Sequence, residues 1–188
     1  MARTLPLLLL LLATLPVPAA PALKSKGPAL YYPTTVGARW VYQNPGAENP
    51  FVVTRVEEKE GAFLVDVAIV ADGRETPTQQ MRISAEGVFR VNIAGTMLPT
   101  PECLLKLPHR DGQEWEFDLG DANGGAAKLT AVGRESIETP AGKFETIKIE
   151  RVGSNAATYW FAEEVGLVKM ASGKWESVLK SFTPGKKK

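Results

Sequence analysis

Beyond residue 38 the chain alternates. Polar and apolar side chains trade places at a period of two, and glycine interrupts them at 61, 73, 87, 95, 112, 124, 133, 142, 153, 166 and 173. Most of these gaps lie near the roughly 8–12 residues of a meandering all-β domain. In the stretch from Ala62 to Val70, Phe63, Val65, Val67 and Ile69 share one face, with Asp66 opposite. Glu114 to Leu119 alternates without error, and so does Glu145 to Glu150, with Ile147 and Ile149 inward. Phe89, Val91 and Ile93 form another apolar stripe. Charges opposite an apolar set are what a sheet with one wet face requires. Asp72-Gly73, Asp111-Gly112, Asn123-Gly124 and Ser172-Gly173 supply turn residues that tolerate positive φ.

No stretch of ten residues beyond position 22 carries a helical period. The expectation is an all-β fold: a single antiparallel meander of about ten strands, with little helix. Twist accumulates in so wide a sheet, so it should curve strongly or close into a barrel. An outer-membrane barrel needs outward apolar bands, whereas the outward positions here are Glu, Lys, Asp and Arg.

The first residues read as an address. Arg3 carries the only charge before Lys24, Leu5 to Leu15 is rich in leucine, and Ala20-Pro21-Ala22 places small residues at a cleavage site. This is the secretory signal pattern, and its apolar run is too short to span a bilayer. The expected organisation is a signal peptide over 1–22, a flexible segment over 23–29, a β-domain over 30–183 and a basic disordered tail over 184–188. The mature chain carries no transmembrane segment in this reading, and its location is secreted or periplasmic after cleavage near Ala22.

Charge and composition remove several function classes. The chain has 22 Lys+Arg against 21 Asp+Glu, and losing Arg3 with the signal leaves 21 − 21 = 0. A neutral chain has no global field to draw it to nucleic acid. One His and one Cys exclude intrachain disulfides and metal sites needing two imidazoles or thiolates. Cys103, Leu105 and Leu107 share a face at strand period, so Cys103 is expected as a buried thiol.

Motifs of chemistry are incomplete. His109-Arg110-Asp111 looks like a kinase catalytic-loop triplet, but the Asn due at position 116 is Glu. Gly142-Lys143 is flanked by Ile137 and Phe144, where a phosphate loop needs Gly and Ser or Thr. Asp118, Asp121 and Asn123 set oxygens among glycines and are candidate calcium ligands, although a plain hairpin loop accounts for the same residues. Glu57-Glu58 and Glu163-Glu164 are adjacent pairs, which point to opposite faces of a strand. Trp40, Trp115, Trp160 and Trp175 would serve as core or as walls of a ligand cavity, with core preferred. No catalytic residue, cofactor or ligand-binding residue is assigned.

Three segments carry a resemblance. They are Pro33-x-x-x-Gly37-x-x-Trp40-x-Tyr42, Thr139-Pro140-Ala141-Gly142-x-Phe144, and Tyr159-Trp160-Phe161-Ala162 followed by Val165-Gly166-Leu167-Val168-Lys169. In this order they resemble the TapB-like family and related uncharacterised exported bacterial proteins. Glu163-Glu164 departs from the Pro-Gly turn those proteins often have before the last segment. The resemblance implies an envelope or secreted β-protein, with a curved sheet akin to lipoprotein-carrier folds, and brings no catalytic residues. The expected function is an exported, non-enzymatic β-domain that binds a small apolar ligand or an envelope protein. The alternatives are a scaffold without ligand and a hydrolase using His109.

Overall fold

The computed structural model describes residues 29–118, 125–153 and 155–186. Among them there are twelve strands and no helix. They are β1 (Arg39–Asn44), β2 (Ala47–Lys59), β3 (Ala62–Ala71), β4 (Arg74–Ser84), β5 (Gly87–Ile93), β6 (Thr96–Lys106), β7 (Glu114–Asp118), β8 (Ala126–Thr139), β9 (Gly142–Val152), β10 (Ala157–Ala162), β11 (Gly166–Ser172) and β12 (Trp175–Thr183).

All twelve belong to one antiparallel sheet in the order β6-β5-β4-β3-β2-β1-β12-β11-β10-β9-β8-β7. Every neighbour in that order is consecutive in sequence except β1 and β12, which join the two ends of the chain. The edge strands β6 and β7 are also consecutive. The sheet is therefore an up-and-down barrel with one open seam. At the seam the Trp115 indole Nε1–H donates to the Cys103 carbonyl at 2.7 Å, tying the two edges through a side chain. Two-residue turns do most of the reversing. Asp72 and Gly73 both take positive φ, 51° and 72°, which matches the twist of the strands they join.

Twelve strands stand where about ten were expected. Three of the strands contain prolines: Pro50 in β2, Pro77 in β4, and Pro99 and Pro101 in β6. Pro77 sits where the β3–β4 register slips, and β6 is an edge, so neither place needs the missing N–H.

The alternation holds in β3, β7 and β9. Val65, Ile147 and Ile149 are fully buried, and Trp115 and Phe117 face inward. It fails in β5. Register slips on both sides of this strand leave Val91 unpaired as a bulge. The slip turns Arg90 inward and Phe89 outward, where the Arg82 guanidinium covers its ring at 4.2 Å; Ile93 is exposed. A bulge in β6 has a similar effect. Leu105 is buried beside Val88, while Cys103 pairs with Phe89 on the outer side and is half-buried, so the two do not share a face.

The expected signal peptide lies outside the described residues, as do Asn123-Gly124 and Lys187-Lys188. Asp111-Gly112 belongs to the connection from β6 to β7, where Gly112 N–H donates to the Ala131 carbonyl at 2.7 Å, and makes no hairpin. No helix among the described residues is long and apolar enough to cross a membrane.

Candidate functional site

The meander gives the barrel two ends. One carries the turns Glu60-Gly61, Ala85-Glu86, Pro140-Ala141 and Glu163 to Val165. The segment ahead of β1 closes this end. Glu164 N–H donates to the Leu30 carbonyl at 2.7 Å. Tyr31 and Tyr32 are buried, and the Tyr32 ring lies 5.5 Å from Trp40. Trp40 Nε1–H donates to the Val165 carbonyl at 2.8 Å, and the Tyr42 hydroxyl donates to the Leu167 carbonyl at 2.7 Å. Gly166 passes directly under Tyr32: a Cβ there would lie 3.1 Å from the ring, and its φ is +90°. Ala141 N–H reaches the Leu179 carbonyl at 3.3 Å. The first and third sequence segments singled out above thus meet at the capped end of the barrel, and the second turns at the same end against β12.

The other end is open. It carries the turns Pro45-Gly46, Asp72-Gly73, Ala94-Gly95 and Gly173-Lys174. Between this mouth and the cap lies a cavity of about 340 Å³, a size at the lower range of small-molecule sites. Trp40, Tyr42 and Phe51 line one wall, and Tyr159, Phe161 and Met170 line another. The aromatic rings brace each other, Tyr42 against Phe51 at 5.9 Å and Tyr159 against Phe161 at 6.5 Å. Tyr32 forms the floor, and Asn44, Asn49 and Trp175 stand toward the mouth. Around that end Ile93, Met97, Val152 and Trp175 are 38, 63, 52 and 41 % exposed. Glu58, Glu60, Glu86, Glu163 and Glu164 lie at the capped end, while Asp72 sits in a turn at the open end.

Polar groups enter this cavity at few points. Arg90 comes from β5 and Arg151 from β9. Arg90 Nε–H donates to Glu102 Oε2 at 2.6 Å, and a second guanidinium nitrogen contacts the same carboxylate. Glu102 is only 5 % exposed, so this is a largely desolvated pair. The Arg151 guanidinium carbon lies 5.6 Å above the Tyr159 ring, and its Nε–H donates to the Asn155 carbonyl at 2.7 Å. Burial holds the Tyr159 hydroxyl above the usual phenol range, and the positive charges of Arg151 and Arg90 oppose that shift. Burial pushes Tyr32 and Tyr42 up further, so both rings stay neutral. Asn44 Oδ1 is buried and accepts no hydrogen bond.

The residues singled out by sequence fall elsewhere or only partly here. Trp40 lines the cavity and is core; Trp115 is core at the seam. Trp175 is a mouth residue rather than a core one. Trp160 is on the outer face, with the ammonium groups of Lys148 and Lys169 at 5.8 and 5.3 Å from its ring and an indole hydrogen bond to Glu135. The His109 side chain is buried in the β6–β7 connection, its Nε2 3.2 Å from Asp111 Oδ1 without hydrogen-bond alignment, and it lines no cavity described here. Of the calcium candidates, Asp118 ends β7 while Asp121 and Asn123 lie outside the described residues. Glu57-Glu58 and Glu163-Glu164 are exposed at the capped end. Sequence reasoning missed Arg90, Arg151, Tyr159 and Asn44, because each reads locally as an ordinary strand residue.

Cys103 faces a second groove, at the seam, with Phe89, Leu107 and Trp115. Burial pushes its thiol up to about 11. The unfolded chain loses this proton near the ordinary value of about 8.5. Between pH 9 and 11 the unfolded state therefore binds fewer protons than the folded one, and stability falls as pH rises. Cys103→Ala should lack that part of the fall. Thermal melts should show the variant gaining on the parent from pH 9 to pH 11; parallel curves would contradict the burial of the thiol.

The fold is similar to two solved proteins. One, from Bacteroides fragilis, is named as an exported protein with a YMCC-like fold; it shares 14 % identity at a TM-score of 0.55, covering 82 % of this chain and 99 % of that one. The other, from Parabacteroides distasonis, is named as a lipoprotein; it shares 16 % identity at a TM-score of 0.50, covering 84 % of this chain and 100 % of that one. No family model and no curated protein matches the chain.

Proposed function

We propose that the chain is an exported barrel that holds a small apolar ligand in its interior and catalyses nothing. The observation that carries this reading is the cavity of about 340 Å³, capped at one end, walled by aromatic rings and open between exposed apolar side chains. At roughly 30 Å³ for each small group, it has room for a ligand of about ten heavy atoms. Burying such a chain contributes about 0.8 kcal/mol per methylene. A secreted or periplasmic location accords with the leucine-rich start and the small residues at Ala20 and Ala22. It also accords with the names of the two structural neighbours, one exported and one a lipoprotein. The likeness to TapB-like proteins belongs with this reading and rests on the three segments at the cap.

A second reading is favoured by the seam. The outer edges of β6 and β7 share no backbone ladder and are joined by the Trp115 side chain, and a groove of about 320 Å³ runs between them. A partner's strand added there would make the chain a scaffold.

Calorimetric titration with 1-decanol separates the two. Saturable one-to-one binding is expected, and it should be lost in Ser177→Phe, which fills the cavity from β12, and in Asn49→Trp, which blocks the mouth. No binding to the parent chain, or binding untouched by both variants, would defeat the interior-ligand reading.

A further inference from the structure

Resting on the reading of the cavity as an apolar-ligand site, we infer that its ligand is an amphipathic anion, an apolar chain ending in a carboxylate or phosphate that Arg151 holds at the mouth. Two guanidiniums line the cavity, and they are not equivalent. Arg90 is satisfied: its fork closes on Glu102, a carboxylate that is itself buried and has no other cation to serve among the described residues. Arg151 has no carboxylate partner among the described residues. Its Nε–H is taken by the Asn155 carbonyl and its guanidinium lies over the Tyr159 ring, which leaves the two terminal nitrogens and their four N–H groups without an acceptor among the described residues. A guanidinium held by one edge and one face is pre-oriented, and its open side suits a planar or tetrahedral oxyanion through two parallel hydrogen bonds.

The location fits the ligand's two parts. Arg151 stands at the mouth end of β9, beside the exposed Val152, while the aromatic walls and Met170 lie deeper. A head group on Arg151 therefore points its chain along the rings toward Tyr32. Asn44 Oδ1, buried and unpaired on the same cavity, offers an acceptor for a hydroxyl or amide hydrogen on the ligand. The pair Arg90–Glu102 cancels itself, so Arg151 gives the interior a net positive charge. A cationic head would find no free carboxylate among the described residues that line the cavity, since Glu102 is engaged.

The test uses three ligands of equal chain length: decanoate, 1-decanol and decylammonium, each titrated into the parent chain. Decanoate should bind at least tenfold tighter than decanol, and decylammonium weaker than both. In Arg151→Gln the ratio of decanoate to decanol affinity should fall to near one, and Arg151→Lys should keep part of it, as a point charge without the fork would. Circular dichroism melts of both variants verify folding. Equal binding of decanoate and decanol by the parent, or preference for decylammonium, overturns the anion assignment and leaves the apolar site standing. A ratio unchanged in Arg151→Gln overturns the role of Arg151. If none of the three binds, the apolar-site reading itself fails, and this inference with it.

Discussion

Ile149→Asp should leave a chain without a cooperative melting transition, while Lys148→Asp, one residue earlier, melts within a few degrees of the parent. Ile149 is fully buried, pairing with Ala131 on β8 and Tyr159 on β10. Truncating a buried isoleucine costs about 2–5 kcal/mol through lost contacts and the cavity left behind. Putting a carboxyl there costs several more, whether it stays charged or takes up a proton. Domains of this size are stable by about 5–15 kcal/mol in total, so the sum removes most of the margin. Lys148 points the other way. Its ammonium lies 3.3 Å from Glu150 on the surface, a pair worth about 0–1 kcal/mol. Similar melting temperatures for the two variants would mean that the facing of β9 is reversed.

Gly87→Ala should cost about 3–5 kcal/mol, although it adds a single methyl group. Gly87 starts β5 with a φ of +144°, a conformation that L side chains rarely adopt. A Cβ built on it would lie 2.0 Å from the Leu105 carbonyl oxygen of β6. That oxygen is backbone and has no rotamer to escape into. The strand would have to move, and Leu105, buried beside Val88, would move with it. Because β6 is an edge of the seam, the damage should open the barrel there first. Hydrogen exchange should show amides of β5 and β6 losing protection more than those of β9 to β11. A uniform loss, or a variant as stable as the parent, would contradict this account of the seam.

These two variants mark how far the sequence could be read. Ile147 and Ile149 were legible because six residues alternate without interruption, and nothing tertiary disturbs them. β5 was not legible, because the bulge at Val91 inverts its facing halfway along, and no residue type announces it. Arg90 therefore looked like an outward charge and Phe89 like core. Prolines are tolerated inside β4 and β6 because at a slipped register or an edge the missing N–H costs little. The cavity was hidden more deeply. Arg90 and Tyr159 belong to strands far apart in the sheet, and only its curvature faces them across one interior. Even the tryptophans divide by place rather than type: Trp40 joins the cap and cavity, while Trp160 has the same alternation and ends on the outer face under two lysines. The first and third motif segments were legible as structure, and they join at the capped end.

The most direct measurement is a crystal structure of the chain grown with 1-decanol. Density for the alkyl chain should lie inside the barrel, between Trp40, Tyr159 and Met170, with its hydroxyl toward Asn44 and Arg151. Side chains filling that interior, or the ligand seated instead in the seam beside Cys103 and Trp115, would contradict the claim that the open end of this barrel is a binding site.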